Sequence, residues 1–202
     1  MSVDAAVAAL RAGRLVVLPT DTVYGLAADG ESEPAARALY AAKGRQAIQP
    51  TAVLFASVDV LVERVPELPT AAVEAVRTLL PGPLTLIVEN PTRRYAWLNP
   101  RRPDAIGLRV PAVTGAPRAV LEALGAVVAT SANLPGGVDP RRVEDVPPEI
   151  AAAVDVVIQG GELPGTPSTV VDLTGDEPRV LREGAVPAAA VLERAAGVAA
   201  YS

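Results

Sequence analysis

Apolar positions fall into two alternating rhythms along the chain. Val3, Ala6, Val7 and Leu10 recur at helical spacing, and Gly13 follows as a stop. "RLVVLPT" (14–20) is a short β-branched run with no polar alternation, which predicts a strand buried on both faces. "EPAARALYAAK" (33–43) predicts a helix, with Glu33 and Pro34 at its start. "TAVLFAS" predicts a strand and "LPTAAVEAVRTLLPG" a helix closed by Pro-Gly. The strands "LTLIVEN" and "AIGLRVP" follow, then the helix "GAPRAVLEALG" and the strand "AVVATSAN". A short helix "PPEIAAAV", strands "VDVVIQGG", "STVVDLT" and "PRVLREG", and a last helix "VPAAAVLERAAG" complete the pattern. Strands and helices alternate, so the fold class is α/β, with helices covering a central sheet. The strands between 155 and 182 lie too close together for helical crossovers, so the sheet is expected to be mixed. No repeat or linker stands out, and residues 1–202 read as a single domain.

Composition narrows the chemistry. The chain holds no Cys and no His. That excludes disulfides, thiolate catalysis, a Ser-His-Asp triad and an ordinary zinc site. Chemistry must come from Lys, Arg, hydroxyls, amides and carboxylates, or from a metal brought with a substrate. The net charge of −5 leaves no global basic footprint, so an anionic partner must meet a local cluster of cations. Aromatic residues make up 3%, too few for a base-stacking platform. Asp4, Arg11 and Arg14 break any signal-like core, and apolar runs fall short of the ~20 residues of a membrane span. The expectation is a cytoplasmic protein with no membrane partner.

Four polar stretches sit at predicted strand ends or turns, where α/β folds build sites. In "LPTDTVYGLAADG" a strand ends in Thr20, Asp21, Thr22 and Tyr24, and Gly25 is expected to turn the chain. These groups suit a small polar ligand, or equally a turn capping its own backbone. Lys43 and Arg45 read either as cations on a helix C-terminus or as a pair aimed at phosphate. Thr130, Ser131 and Asn133 run into a turn with Gly136 and Gly137, a plausible anion cradle or an ordinary Asn turn. No Walker or dinucleotide fingerprint is present. Ser168 and Thr169 open one strand, and Arg182 ends the next. Arg109 is the strongest single signal: a cation inside an apolar strand is costly unless paired or facing a cleft.

In order, "LPTDTVYGLAADG", "KGR", "PGPLTLIVEN", "IGLRVP", "TSANLPGG", "PSTVVDLTG" and "VLREGAV" resemble the successive signatures of the threonylcarbamoyl-AMP synthase family, the YrdC-like proteins. The resemblance runs from about residue 14 to 186. It implies an open, twisted sheet with a large concave cavity. It also implies that L-threonine, bicarbonate or CO₂, and ATP with its Mg²⁺ become threonylcarbamoyl-AMP and pyrophosphate. Partner proteins would then carry the threonylcarbamoyl group to tRNA. Carried over residue by residue, Lys43, Arg45, Ser131 and Asn133 form the catalytic, nucleotide-binding set, with Arg182 on the phosphates. Thr20 or Thr22, Tyr24, Arg109, Ser168 and Thr169 would hold threonine, with Arg109 on its carboxylate. No protein-held metal site is implied. If Lys43 and Arg45 face solvent in the cleft, replacing them should cost rate and little stability. One segment departs: after Arg45 the family reads R-P-x-x-x-P-L, whereas here Gln46 and Thr51 replace the first Pro and the Leu, and Pro50 remains. An alternative is therefore a paralogue that binds nucleotide or RNA without synthase activity. The acidic charge and scarce aromatics oppose tRNA or RNA contact as the main role.

Overall fold

The computed structural model describes residues 2–44 and 50–199. All the described strands join one nine-stranded mixed sheet, in the order β7-β1-β2-β6-β3-β5-β4-β8-β9. The first half runs α1 (Val3–Arg11), β1 (Val16–Pro19), β2 (Tyr24–Asp29), α2 (Glu33–Ala42), β3 (Ala52–Leu54), α3 (Val58–Arg64), α4 (Thr70–Leu79) and β4 (Leu84–Glu89). The second half runs β5 (Ala105–Arg109), α5 (Gly115–Leu124), β6 (Val127–Ser131), α6 (Pro148–Ala152), β7 (Val156–Val157), β8 (Thr169–Asp172), β9 (Arg179–Arg182) and α7 (Ala188–Ala199).

Side-chain alternation along the strands sorts the core into two layers. Val17, Leu26, Val53, Leu86, Leu108 and Val128 pack with Leu39 of α2, Leu61 of α3, Val76 and Leu79 of α4 and Val191 of α7. Their neighbours Val16, Leu18, Ala27, Leu54 and Val127 point the other way, onto Leu10 of α1 and Val120 and Leu121 of α5. Helices α1 and α5 pack together over one part of that second face. Where they stop, the face is open. Over β6, β3, β5, β4 and β8 it forms the floor of a cavity with about 1090 Å³ of empty space, its mouth included. Small residues make the room: Gly25, Ala52, Ala105, Gly107 and Ala129 all line it.

Three expectations change. "LPTDTVYGLAADG" holds a second strand and not a terminal turn: the chain reverses at residues 20–23, and Gly25 sits inside β2, paired with Leu18 and Ser131. The strand is poor in β-branched residues, but it lies between β1 and β6, and two ladders of hydrogen bonds override weak propensity. Helix α3 is an element that the periodicity does not predict, and Ser57 Oγ caps it by accepting the Val60 N–H at 3.2 Å. The strand expected over 154–161 shrinks to Val156–Val157, parallel to β1 at the sheet edge.

Candidate active site

The turn between β1 and β2 is closed by its own threonine. Thr20 Oγ1 donates to Val23 O at 2.8 Å and accepts the N–H groups of Thr22 and Val23 at 3.2 Å. This is the self-capping read from sequence, and it leaves the second hydroxyl for other work. Thr22 Oγ1 shares a hydrogen bond with Thr20 Oγ1 at 2.9 Å and accepts Arg109 Nη2 at 2.8 Å.

Arg109 ends β5 and lines the cavity. Its side chain is 10% exposed and forms an ion pair with Asp21, itself 9% exposed, at 2.5 Å. The buried cation is thus both paired and on the cleft. Its Nε is buried with no hydrogen-bond partner among the described residues. Asp21 also accepts the Ala112 N–H through Oδ2 at 2.9 Å. The turn and the end of β5 are therefore tied across the intervening strands.

Beyond β4 in the same sheet stand β8 and β9. Ser168 Oγ meets Thr85 Oγ1 of β4 at 2.9 Å. Arg182 Nη2 donates to Ser168 O at 2.7 Å and reaches Ser168 Oγ at 3.3 Å. Thr85, Ser168 and Arg182 all line the cavity. Ser131 enters it from the end of β6, beside Thr130.

Behind Ser131 stands a polar network. Asn133 Oδ1 accepts from Ser131 Oγ at 2.7 Å and from Lys43 Nζ at 3.0 Å. Lys43 Nζ also donates to Ser131 O. Asn133 Nδ2 donates to Gly137 O at 2.7 Å and Asp139 Oδ1 at 3.2 Å, which fixes the 134–139 loop. Lys43 caps α2 but is completely buried, 0% exposed. The condition that it faces solvent in the cleft is therefore not met. The reason is local: α2 packs its C-terminus against the loop after β6, and the ammonium replaces water with carbonyl and amide oxygens. Arg45 and Gln46 lie outside the described residues.

The structure thus brings Thr20, Thr22, Arg109, Ser131, Ser168 and Arg182 to one cavity, with Pro50 and Thr51 on its wall. Lys43 and Asn133 stand behind Ser131. Two candidates lie elsewhere, because alternate residues of a strand face opposite sides. Tyr24 OH donates to Gly161 O at 2.8 Å and accepts the Gly160 N–H at 2.9 Å. Thr169 Oγ1 donates to Val186 O and accepts the N–H groups of Gly184 and Val186, securing the chain after β9. Sequence reasoning missed Thr85 and Tyr95. Thr85 carried a faint signal, one hydroxyl in the apolar run of β4. Tyr95 also lines the cavity and donates to Glu31 Oε1 at 2.6 Å. Burial, with the adjacent Glu31 carboxylate, pushes its phenol well above the usual value.

Comparisons with known proteins bear on the sequence and the fold. A family model described as Telomere recombination, for Sua5, YciO and YrdC proteins, matches residues 8–184. The chain is 37% identical over 182 residues to a Mycobacterium tuberculosis protein provisionally named threonylcarbamoyl-AMP synthase, covering 90% of this chain and 83% of that one. It is 34% identical over 183 residues to the threonylcarbamoyl-AMP synthase of Pyrococcus abyssi, covering 88% of this chain and 52% of that protein. Among solved structures, P. abyssi Sua5 complexed with L-threonine superimposes with a TM-score of 0.80 at 32% identity, over 95% of this chain and 56% of that one. Escherichia coli YciO gives a TM-score of 0.80 at 29% identity, over 92% of this chain and 90% of that one. By its sequence and its fold, this chain belongs to the Sua5/YciO/YrdC family.

Proposed function

We propose that this chain is a threonylcarbamoyl-AMP synthase. L-Threonine, bicarbonate and ATP become threonylcarbamoyl-AMP, pyrophosphate and water. The carrying observation is a single cavity with Arg109 and the hydroxyl of Thr22 on one side and Ser131, Ser168, Thr85 and Arg182 on the others. Arg109, held by Asp21, supplies a fixed cation for the amino-acid carboxylate. Thr22 and Ser168 offer hydroxyls for the rest of that small polar substrate. Ser131 and Arg182 face the nucleotide phosphates, and Lys43 and Asn133 hold Ser131 in place.

This division suits the chemistry. Once threonine has taken up CO₂, its N-carboxylate is already anionic and attacks the α-phosphorus of ATP. The bond to the pyrophosphate oxygen breaks, and pyrophosphate leaves with the electron pair. Such a transfer needs in-line positioning and cations on the charge spread over phosphate oxygens. A neutral-pH imidazole base is not needed, in keeping with a chain that has no His. Among the described residues no group of three or more carboxylates could hold a metal ion. Mg²⁺ would arrive with ATP and neutralise phosphate charge there.

Residues 1–202 act as one YrdC-like domain in this reading, since every described strand joins the same sheet. The product passes to partner proteins that modify tRNA, in the cytoplasm. Among the described residues no helix is long and apolar enough to cross a membrane. The test is pyrophosphate release from ATP, with L-threonine or bicarbonate omitted in turn. Release should require both. Equal release without either one would overturn the reading.

A further inference from the structure

The guanidinium of Arg109 has already committed one nitrogen. Nη2 donates both to Asp21 Oδ1 and to Thr22 Oγ1. A guanidinium grips a carboxylate with two adjacent N–H groups, and both available forks, Nε with Nη2 and Nη1 with Nη2, include Nη2. Nε is buried without a partner, and among the described residues none accepts from Nη1. A ligand carboxylate therefore meets Arg109 through Nη1, with its second oxygen on a neighbouring donor, for as long as Asp21 stays bound.

Asp21 is not among the residues that line the cavity, so it acts through another group. Its second oxygen, on the Ala112 N–H, fixes the carboxylate itself. The pair joins the β1–β2 turn to the end of β5, which stands three places from β2 and four from β1 in the sheet. Ladder hydrogen bonds cannot set that distance. A buried ion pair is also a weak source of net stability, since desolvation offsets most of its attraction. Its structural result is the fixed direction of one guanidinium.

Resting on the synthase reading, we propose that Asp21 is the positioning residue that sets how Arg109 recognises the substrate carboxylate. It holds Nη2, leaves Nη1 to the ligand, and so selects an amino acid presented in one orientation.

The test compares Asp21→Ala, Arg109→Ala and the double variant by steady-state pyrophosphate release, with folding checked by circular dichroism. Asp21→Ala should raise the KM for L-threonine about tenfold and leave that for ATP within about twofold. In the Arg109→Ala background it should add nothing, because the group it directs is gone. Equal effects on both substrates, or an additive loss in the double variant, would overturn the assignment. If Asp21→Ala does not fold, Asp21→Asn takes its place, keeping an acceptor without the charge. Its threonine KM should rise about threefold, and an unchanged KM overturns the proposal. The wild-type chain is measured first. Threonine-independent release there overturns both readings, whereas a threonine-dependent wild type with insensitive variants overturns the role of Asp21 alone.

Discussion

A fully buried ammonium is expensive, and Lys43 meets that cost with the Ser131 carbonyl and the Asn133 amide oxygen. Its replacement should therefore cost stability as well as rate. Lys43→Ala is expected to lower unfolding free energy by roughly 1–3 kcal/mol, the usual result of stranding buried hydrogen-bond partners. Urea denaturation followed by circular dichroism checks this, and an unchanged midpoint would mean that the network behind Ser131 is slack. Arg109 was legible in the sequence as a cation in an unexpected place, and Lys43 as a cation at a helix end or one aimed at phosphate. How each is held was not. Asn133 is 90 residues from Lys43, and Asp21 is 88 from Arg109. Such pairs are created by strand order, which local spacing does not encode.

At the scale of elements, local chemistry is clearest where a cap marks a boundary. Ser57 starts α3 as Ser32 starts α2. Ser57→Ala should destabilise the chain by about 1 kcal/mol, read as a lower thermal midpoint, and leave the KM values unchanged. The sequence reading passed over Ser57 as a cap, because α3 spans only seven residues, too few for its periodicity to stand out. β2 escaped for a different reason: Gly25 and the alanines favour no strand by themselves, and pairing with β1 and β6 decides their state. The smallness of Gly25 also helps open the cavity. Gly107 of β5 makes the same point, since a Cβ there would lie in ordinary contact with Ala52, 3.4 Å from its Cα and 3.8 Å from Thr85 Cγ2. Gly107→Val should fill the floor and lower kcat/KM at least about tenfold while the protein stays folded. Full activity would mean that substrates do not use this floor.

For the molecule as a whole, charge and pH can be read together. With no His and no Cys, no side chain ordinarily titrates between about pH 5 and 8. Stability should be nearly flat there. Burial pushes the Asp172 carboxyl up, but the Arg102 guanidinium and the donors of Thr174 outweigh it and hold the group below the usual carboxylate value. Glu67 is likewise lowered, with Arg94 and Thr92 overcoming burial. Carboxyls depressed by folding bind protons more readily when unfolded. Their stabilisation is complete above the ordinary carboxylate value and is lost as pH falls below about 4. Thermal midpoints across an acid series check this, and a fall beginning near neutrality would contradict it. The α/β class, the mixed sheet and the order of the polar stretches were all legible from the sequence. Which face α1 and α5 leave open was not, because it depends on how far two helices reach across a sheet.

That open face is the centre of the functional reading, and its product can be observed directly. ATP, L-threonine and isotopically labelled bicarbonate are incubated with the chain, and the nucleotides are resolved by mass spectrometry. The expected result is an adenylate carrying threonine and the labelled carbon, formed in step with pyrophosphate. Pyrophosphate and AMP without any such adduct would contradict the assignment of the cavity to threonylcarbamoyl-AMP synthesis.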